Sequence, residues 1–272
     1  MKTLYVSDLD STLLNSKAQL SPFTIETLNA LTKKGLMFTF ATARSAVTAT
    51  AVTKGLEGDT PLIVYTGTFM VDRYTRERIV SNFMAEREIE AVRSAVEKYS
   101  YIPIVYAYVQ GQEKFIYDPS AVSQNVLRFA KTREDDSRRT EVAGGFEGAL
   151  QGDVFYFSYM EPKEKLLPVY EFLKDKCNCL FQPDNYTDNW FLEVMPKAAT
   201  KAKGALRLKH LTGAKRLVVF GDGYNDIDLF KAADEAYAVE NAVDELKAIA
   251  TGVIGSCDED AVARWLLANF KE

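Results

Sequence analysis

The sequence predicts an α/β protein: a Rossmann-like, doubly wound parallel-sheet core interrupted by an inserted α+β unit. Three observations lead there. Short apolar runs recur at Leu4-Tyr5-Val6, Met37-Phe38-Thr39-Phe40-Ala41, Pro61-Leu62-Ile63-Val64 and Leu217-Val218-Val219-Phe220, with helical spacing before or after them. Each run ends in small polar or charged residues, as expected where an open α/β sheet collects chemistry at the carboxyl ends of its strands. Between about residues 70 and 188 the strand-helix alternation gives way to hairpins and grouped helices. The expected organisation is therefore a first core part over 1–82, an insert over 83–188 and a second core part over 189–272, with hinges near Asn82 to Glu86 and Thr187 to Asn189.

The elements follow in order. After the first strand, Ser21-Pro22 offers an N-cap and a first-turn proline, and Ile25, Leu28 and Leu31 share a helix face until Gly35. Phe69-Met70-Val71 and Ile79-Val80 predict a hairpin. In the insert, Ile89, Val92, Val96 and Tyr99 carry helical spacing. Ile104 to Val109 and Phe115 to Tyr117 are expected strands, Val122 to Phe129 a helix, and Lys131 to Thr140 a solvated charged loop. Phe155 to Tyr159 reads as a strand, Pro162 to Lys174 as a helix and Cys179 to Phe181 as a strand. Asp184, Asn185 and Asp188 read as turn residues, near Trp190. The α/β pattern is expected to return with Phe191-Leu192-Glu193-Val194-Met195. Thr200 then caps a helix carrying Leu206, Leu208 and Leu211 to the stop at Gly213, and a helix over Asp258 to Phe270 closes the chain.

Composition narrows the function. The 272 residues are 47% hydrophobic, enough for two cores, and a net charge of −5 with a pI near 5.2 argues against a nucleic-acid binder. No stretch approaches the roughly 20 apolar residues of a membrane span, so a cytoplasmic protein is expected. Cys177, Cys179 and Cys257 lack metal-ligand spacing, and the single histidine, His210, sits late in an expected helix, which sets histidine-rich zinc chemistry aside.

What remains is oxygen chemistry. The strand tips offer Asp8, Asp10, Thr42, a lysine near residue 201, Asp222, Asn225 and Asp226, and a carboxylate-rich set with hard oxygen donors suits magnesium. Two aspartates in Asp8-Leu9-Asp10 disfavour each other's ionisation unless a cation intervenes or one holds a proton. Asp8-Leu9-Asp10-Ser11-Thr12, the strand-terminal Thr42, Thr200-Lys201 and Gly221-Asp222-Gly223-Tyr224-Asn225-Asp226 resemble the four ordered motifs of the haloacid dehalogenase-like superfamily. Ala238-Val239-Glu240-Asn241-Ala242 extends the likeness. More narrowly, the layout resembles the Cof-type phosphatases, in which a large α/β cap lies between the second and third motifs.

The resemblance implies a magnesium-dependent phosphatase acting on a small phosphorylated metabolite such as a sugar phosphate. Asp8 would be the nucleophile that becomes an aspartyl-phosphate, and Asp10 the general acid and then base. It also implies Mg2+ held by the Asp8 side chain, the Asp10 carbonyl and Asp222, with Asp226 as ligand or orienting a bound water. Thr42, Lys201 and Asn225 would hold the phosphate, with Arg44 toward the substrate. Two departures stand out: Thr42-Ala43-Arg44 where the family often has Thr-Gly-Arg, and Thr66-Gly67 where it often has Asn-Gly. Lys203 and, more distantly, Lys197 compete with Lys201 for the lysine role. A phosphomutase or a phospho-accepting signalling module would use a similar set, although a signalling module needs neither Asp10 nor a cap of roughly 100 residues.

Overall fold

The computed structural model describes residues 2–184 and 187–271; Asn185, assigned above to a polar turn, lies outside the described residues. The chain divides into two compact units, Met1–Ser81 with Ala199–Glu272, and Asn82–Ala198.

The first unit begins with β1 (Thr3–Ser7), an almost fully buried strand. It runs into a wide turn over Leu9–Leu13, closed by Leu14 N donating to the Leu9 carbonyl at 2.8 Å. Helix α1 (Pro22–Lys33) starts at Ser21, whose Oγ accepts from Thr24 N at 3.0 Å, and it buries Leu28 and Leu31. Then come β2 (Met37–Phe40), α2 (Ala46–Val52) and β3 (Leu62–Val64), followed by β4 (Phe69–Val71) and β5 (Arg78–Ser81). The last three strands form an antiparallel sheet that contains the expected hairpin.

The second unit runs α3 (Glu86–Tyr99), β6 (Ile104–Val109), β7 (Gln112–Tyr117), α4 (Gln124–Lys131), β8 (Arg139–Glu141) and α5 (Gly145–Ala149). It ends with β9 (Asp153–Glu161), α6 (Lys163–Leu173), β10 (Asn178–Pro183) and β11 (Trp190–Met195). Its strands make one sheet in the order β10-β11-β9-β6-β7-β8. The charged run expected as a loop supplies β8, because Arg139 pairs with Phe115 and Arg138 is fixed by Glu113 at 2.5 Å and Asp136 at 2.7 Å.

Segment 189–198, expected to open the second core part, belongs to this unit instead. Strand β11 pairs antiparallel with both β9 and β10, matching Leu192 with Tyr159 and Phe181. The physical reason is burial. Leu192 and Val194 fill an apolar core with Val92, Leu166 and Val169, so the boundary falls after Ala198 rather than after 188.

Between those two residues stands Glu193, whose carboxyl burial pushes up to about 7, with a Tyr156 hydrogen bond pulling the other way. A raised carboxyl binds its proton more tightly folded than unfolded, so its contribution to stability falls as pH rises from about 4.5 to about 7. Glu193→Gln is therefore expected to raise stability at pH 8 by up to about 3 kcal/mol and to change it little at pH 4. Denaturant melts across that range check the sign; equal differences at both ends would refute it.

The chain returns to the first unit with α7 (Lys201–Thr212), capped by Thr200 Oγ1 on Lys203 N at 3.1 Å, and β12 (Arg216–Gly221). Helix α8 (Ile227–Ala232), β13 (Glu235–Ala238), α9 (Asp244–Lys247), β14 (Gly252–Val253) and α10 (Ala261–Asn269) complete it. The main sheet is parallel throughout, in the order β14-β13-β12-β1-β2, and a single parallel bridge from Ala41 to Ile63 joins it to β3. This order makes β1 and β12 neighbours, with Ser7 beside Phe220, so Asp8 and Asp222 leave adjacent strand tips. Among the described residues, no helix is long and apolar enough to cross a membrane.

Candidate active site

The site grows from the ends of β1 and β12. Asp8 is buried and extended, and its Oδ1 accepts from Leu9 N at 2.7 Å. The chain then turns sharply, with Ser11 at φ 54°, so Asp10 leaves in a different direction from Asp8. The two aspartates therefore have different partners. Asp8 Oδ2 meets the Lys201 ammonium at 2.8 Å, whereas Asp10 receives the Arg44 guanidinium as a fork, Nε to Oδ2 at 2.8 Å and Nη2 to Oδ1 at 2.5 Å.

Lys201 is the first residue of α7 and its side chain is fully buried, with Nζ 2.8 Å from both Asp8 and Asp226. Burial alone would lower its pKa; Asp226 and Asp8 outweigh that and hold it above the ordinary lysine value. Of the rival lysines, Lys203 is exposed and Lys197 gives its Nζ to the Asp175 carbonyl at 2.6 Å in the second unit.

Asp226 is wholly buried. Its Oδ1 takes Lys201, and its Oδ2 accepts from the amides of Asp222 and Gly223, each at 3.1 Å. Gly221 is required beside it, because a Cβ there would lie 2.7 Å from the Asp226 carboxyl carbon. Asp222 is half-buried and its Oδ1 accepts from Thr12 at 2.8 Å. Burial pushes Asp222 to about 6, helped by Asp226 and opposed by the Thr12 bond. Burial likewise raises Asp8 well above the carboxylate range, Lys201 opposes it, and Asp226 and Asp222 add to it.

Carboxylates pushed up by one another's charge are what a divalent cation relieves. Asp8, Asp222 and Asp226 each offer an oxygen within 4.8 Å of the others, so the cluster fits a hard cation. Asp226 already spends its oxygens on Lys201 and two amides, which leaves Asp8 and Asp222 the freer donors.

The second strand tip and the loop after β3 are laced together. Thr42 is buried, its Oγ1 accepts from Arg44 N at 3.1 Å, and its carbonyl takes Thr66 N at 2.8 Å. Gly67, at φ 91°, lies so close to Thr200 that a Cβ would sit 2.2 Å from its carbonyl oxygen. The loop thus ties the Thr42 tip to the start of α7. Asn225 is half-buried in the turn Tyr224–Asp226.

The structure brings Asp8, Lys201, Asp222 and Asp226 together and turns Arg44 onto Asp10. Two contributors escaped the sequence reading. Thr12 orients Asp222, and Asn241 holds the first turn, donating to the Ser11 carbonyl at 2.8 Å while accepting from Cys257 N at 3.0 Å. Both stand inside stretches already noted for their motif, but a side chain that only orients a neighbouring carboxylate or a turn carries no chemical signature of its own.

Comparison with known proteins agrees with this geometry. The family model described as haloacid dehalogenase-like hydrolase matches residues 5–266. A pyridoxal phosphate phosphatase of Escherichia coli is 24% identical, over 97% of both chains. The 5-amino-6-(5-phospho-D-ribitylamino)uracil phosphatase YwtE of Bacillus subtilis is also 24% identical, over 95% of both. The crystal structure of a haloacid dehalogenase-like hydrolase from Bacteroides thetaiotaomicron superposes with a TM-score of 0.76 at 23% identity, covering 99% of this chain and 100% of that one.

Proposed function

The chain belongs to the haloacid dehalogenase-like hydrolase family as a phosphoric monoester hydrolase, and on that premise we propose that it hydrolyses a small phosphorylated metabolite, a sugar phosphate, with Mg2+. The observation that carries this reading is the buried Lys201 ammonium joining Asp8 to Asp226 within the cluster of three carboxylates. Relatives named for pyridoxal phosphate and for a ribitylaminouracil phosphate support a small organic phosphate.

Asp8 Oδ2 attacks phosphorus; the new O–P bond forms as the bond to the leaving alcohol breaks, and Asp10 gives that oxygen its proton. Water then attacks the phosphorus of the aspartyl-phosphate, Asp10 takes the water's proton, and Asp8 is freed as phosphate departs. Thr42, Lys201 and Asn225 hold the phosphoryl oxygens. Thr42 suits this because its Oγ1 accepts from Arg44 N and keeps its own proton to donate. Asp10 needs one oxygen released from the Arg44 fork before it serves the leaving group. Mg2+, held by Asp8 and Asp222 with the Asp10 carbonyl and with Asp226 behind them, would offset the repulsion between carboxylate and phosphate. Everything else is positioning and charge, which is most of what phosphoryl transfer asks of a protein.

The test is phosphate release from a panel of sugar phosphates and other small phosphomonoesters, with Mg2+ and with chelator. Turnover that rises with Mg2+ and is lost on chelation is the expected result. Equal rates in both conditions would remove the metal from the mechanism.

A further inference from the structure

The loop between β13 and α9 supplies none of the groups assigned to the reaction, yet it is tied to both strand tips that do. Val239 N donates to the Gly221 carbonyl at 3.2 Å and Val243 N to the Asp222 carbonyl at 2.9 Å, so each end of the loop is fixed to the tip of β12. Between those anchors stands Asn241. Its Nδ2 donates to the Ser11 carbonyl at 2.8 Å, in the turn after β1, while its Oδ1 accepts from Cys257 N at 3.0 Å. A carboxamide engaged at both its oxygen and its nitrogen has a fixed plane, and so has the peptide it grips. Thr12, on the other side of that peptide, donates to Asp222 Oδ1 at 2.8 Å and leads back to β12.

The gripped residue is the one the backbone holds at a cost. Ser11 stands at φ 54° and ψ 13°, in the left-handed region that residues with a Cβ enter unfavourably. Ser11 is exposed, so packing around its side chain does not enforce that conformation. A hydrogen bond on its carbonyl is of the same order as the strain and opposes its release. The turn matters because Asp10 stands directly before it and takes its direction from it. In the resting site the Arg44 fork also holds the Asp10 carboxyl, but one oxygen must leave that fork to serve the leaving group. At that step the backbone carries more of the aim.

We propose that Asn241 is a positioning residue for departure of the alcohol: by holding the Ser11 peptide in its left-handed turn, it aims the Asp10 carboxyl at the leaving oxygen. The proposal rests on the phosphomonoesterase reading and adds to it a residue that acts through the backbone of a turn. Asp8 keeps its bonds to Leu9 N and Lys201 without Asn241, so the attack on phosphorus is expected to survive its loss. Delivery of the proton is what suffers.

The experiment measures kcat/KM with saturating Mg2+ for p-nitrophenyl phosphate, whose leaving group departs without a proton, and for alkyl phosphates such as a hexose phosphate, whose alcohol needs one. The proteins are the wild type, Asn241→Ala, the same variant carrying Ser11→Gly, and Asp8→Asn. For a covalent route kcat/KM covers attack by Asp8 and departure of the alcohol, not the later hydrolysis. In Asn241→Ala it should fall about tenfold for the alkyl ester and no more than about twofold for the p-nitrophenyl ester, with inhibition by inorganic phosphate unchanged. Adding Ser11→Gly should recover most of that loss, since glycine adopts the turn without strain. A residue that merely stabilised the fold would affect both esters alike. Equal losses on the two esters, no loss, or no recovery with Ser11→Gly overturns the proposal. Asp8→Asn separates the two levels: if it equals the wild type, or the wild type hydrolyses no alkyl ester, the phosphomonoesterase reading itself has failed and the role of Asn241 falls with it.

Discussion

Asp8→Asn should abolish phosphate release, by about 10⁴-fold or more, while the protein remains folded and still binds inorganic phosphate. The magnitude follows from what is removed. An amide oxygen keeps the shape of the carboxylate and still accepts from Leu9 N, so the local turn survives. What disappears is the negative oxygen 2.8 Å from Lys201 that would attack phosphorus. Stability should change little, because Asp226 continues to balance Lys201 and one contributor to the mutual repulsion of Asp8, Asp222 and Asp226 is gone. Phosphate release and a thermal melt on the same preparation decide the matter. Residual turnover within about a hundredfold of wild type would exclude Asp8 as the covalent nucleophile and leave direct attack by water.

The parts of this site that were legible in the sequence are those that repeat a local rule. A short apolar run ended by Asp8, Thr42 or Asp222 identifies a buried strand and its chemically loaded tip, because both the burial and the tip are written in consecutive residues. Partnership across the chain is not written that way. Phe191-Leu192-Glu193-Val194-Met195 reads as a strand in either unit, and only its pairing with β9 and β10 assigns it to the second. The same limit hid the fork between Arg44 and Asp10. The place of Arg44 after Thr42 was plain, but the turn at Ser11 that swings Asp10 under its guanidinium is a property of the backbone. Lys201 and Lys203 differ by two positions on a helix and so leave in opposite directions, one into the carboxylates and one to solvent. Either could have faced inward until the orientation of α7 was known.

Lys201→Met is the substitution expected to damage both stability and activity. Methionine matches the length of the buried stem and removes only the charge, so the loss reports electrostatics rather than a cavity. Asp226 would keep its two amide donors but lose the ammonium, and Asp8 would keep only Leu9 N on its Oδ1. Breaking a buried ion pair from one side costs about 3–5 kcal/mol, because the remaining charge has no partner. Asp8, already raised by burial, would lose the ammonium that opposes that rise and is expected to hold its proton to higher pH than in the wild type. The deficit is then smallest near pH 5 and grows as the pH rises, since the folded variant binds more protons than its unfolded chain. A divalent cation supplies the missing positive charge, so Mg2+ should raise the melting temperature of the variant more than that of the wild type. Turnover should fall by about 10³-fold or more even with saturating Mg2+, because a cation restores charge but not the fixed ammonium beside Asp8 that would hold a phosphoryl oxygen. Denaturant melts at pH 5 and pH 8 with and without Mg2+, alongside phosphate release, separate these effects. A variant as stable as wild type at pH 8 would mean that the three carboxylates are balanced by something other than Lys201.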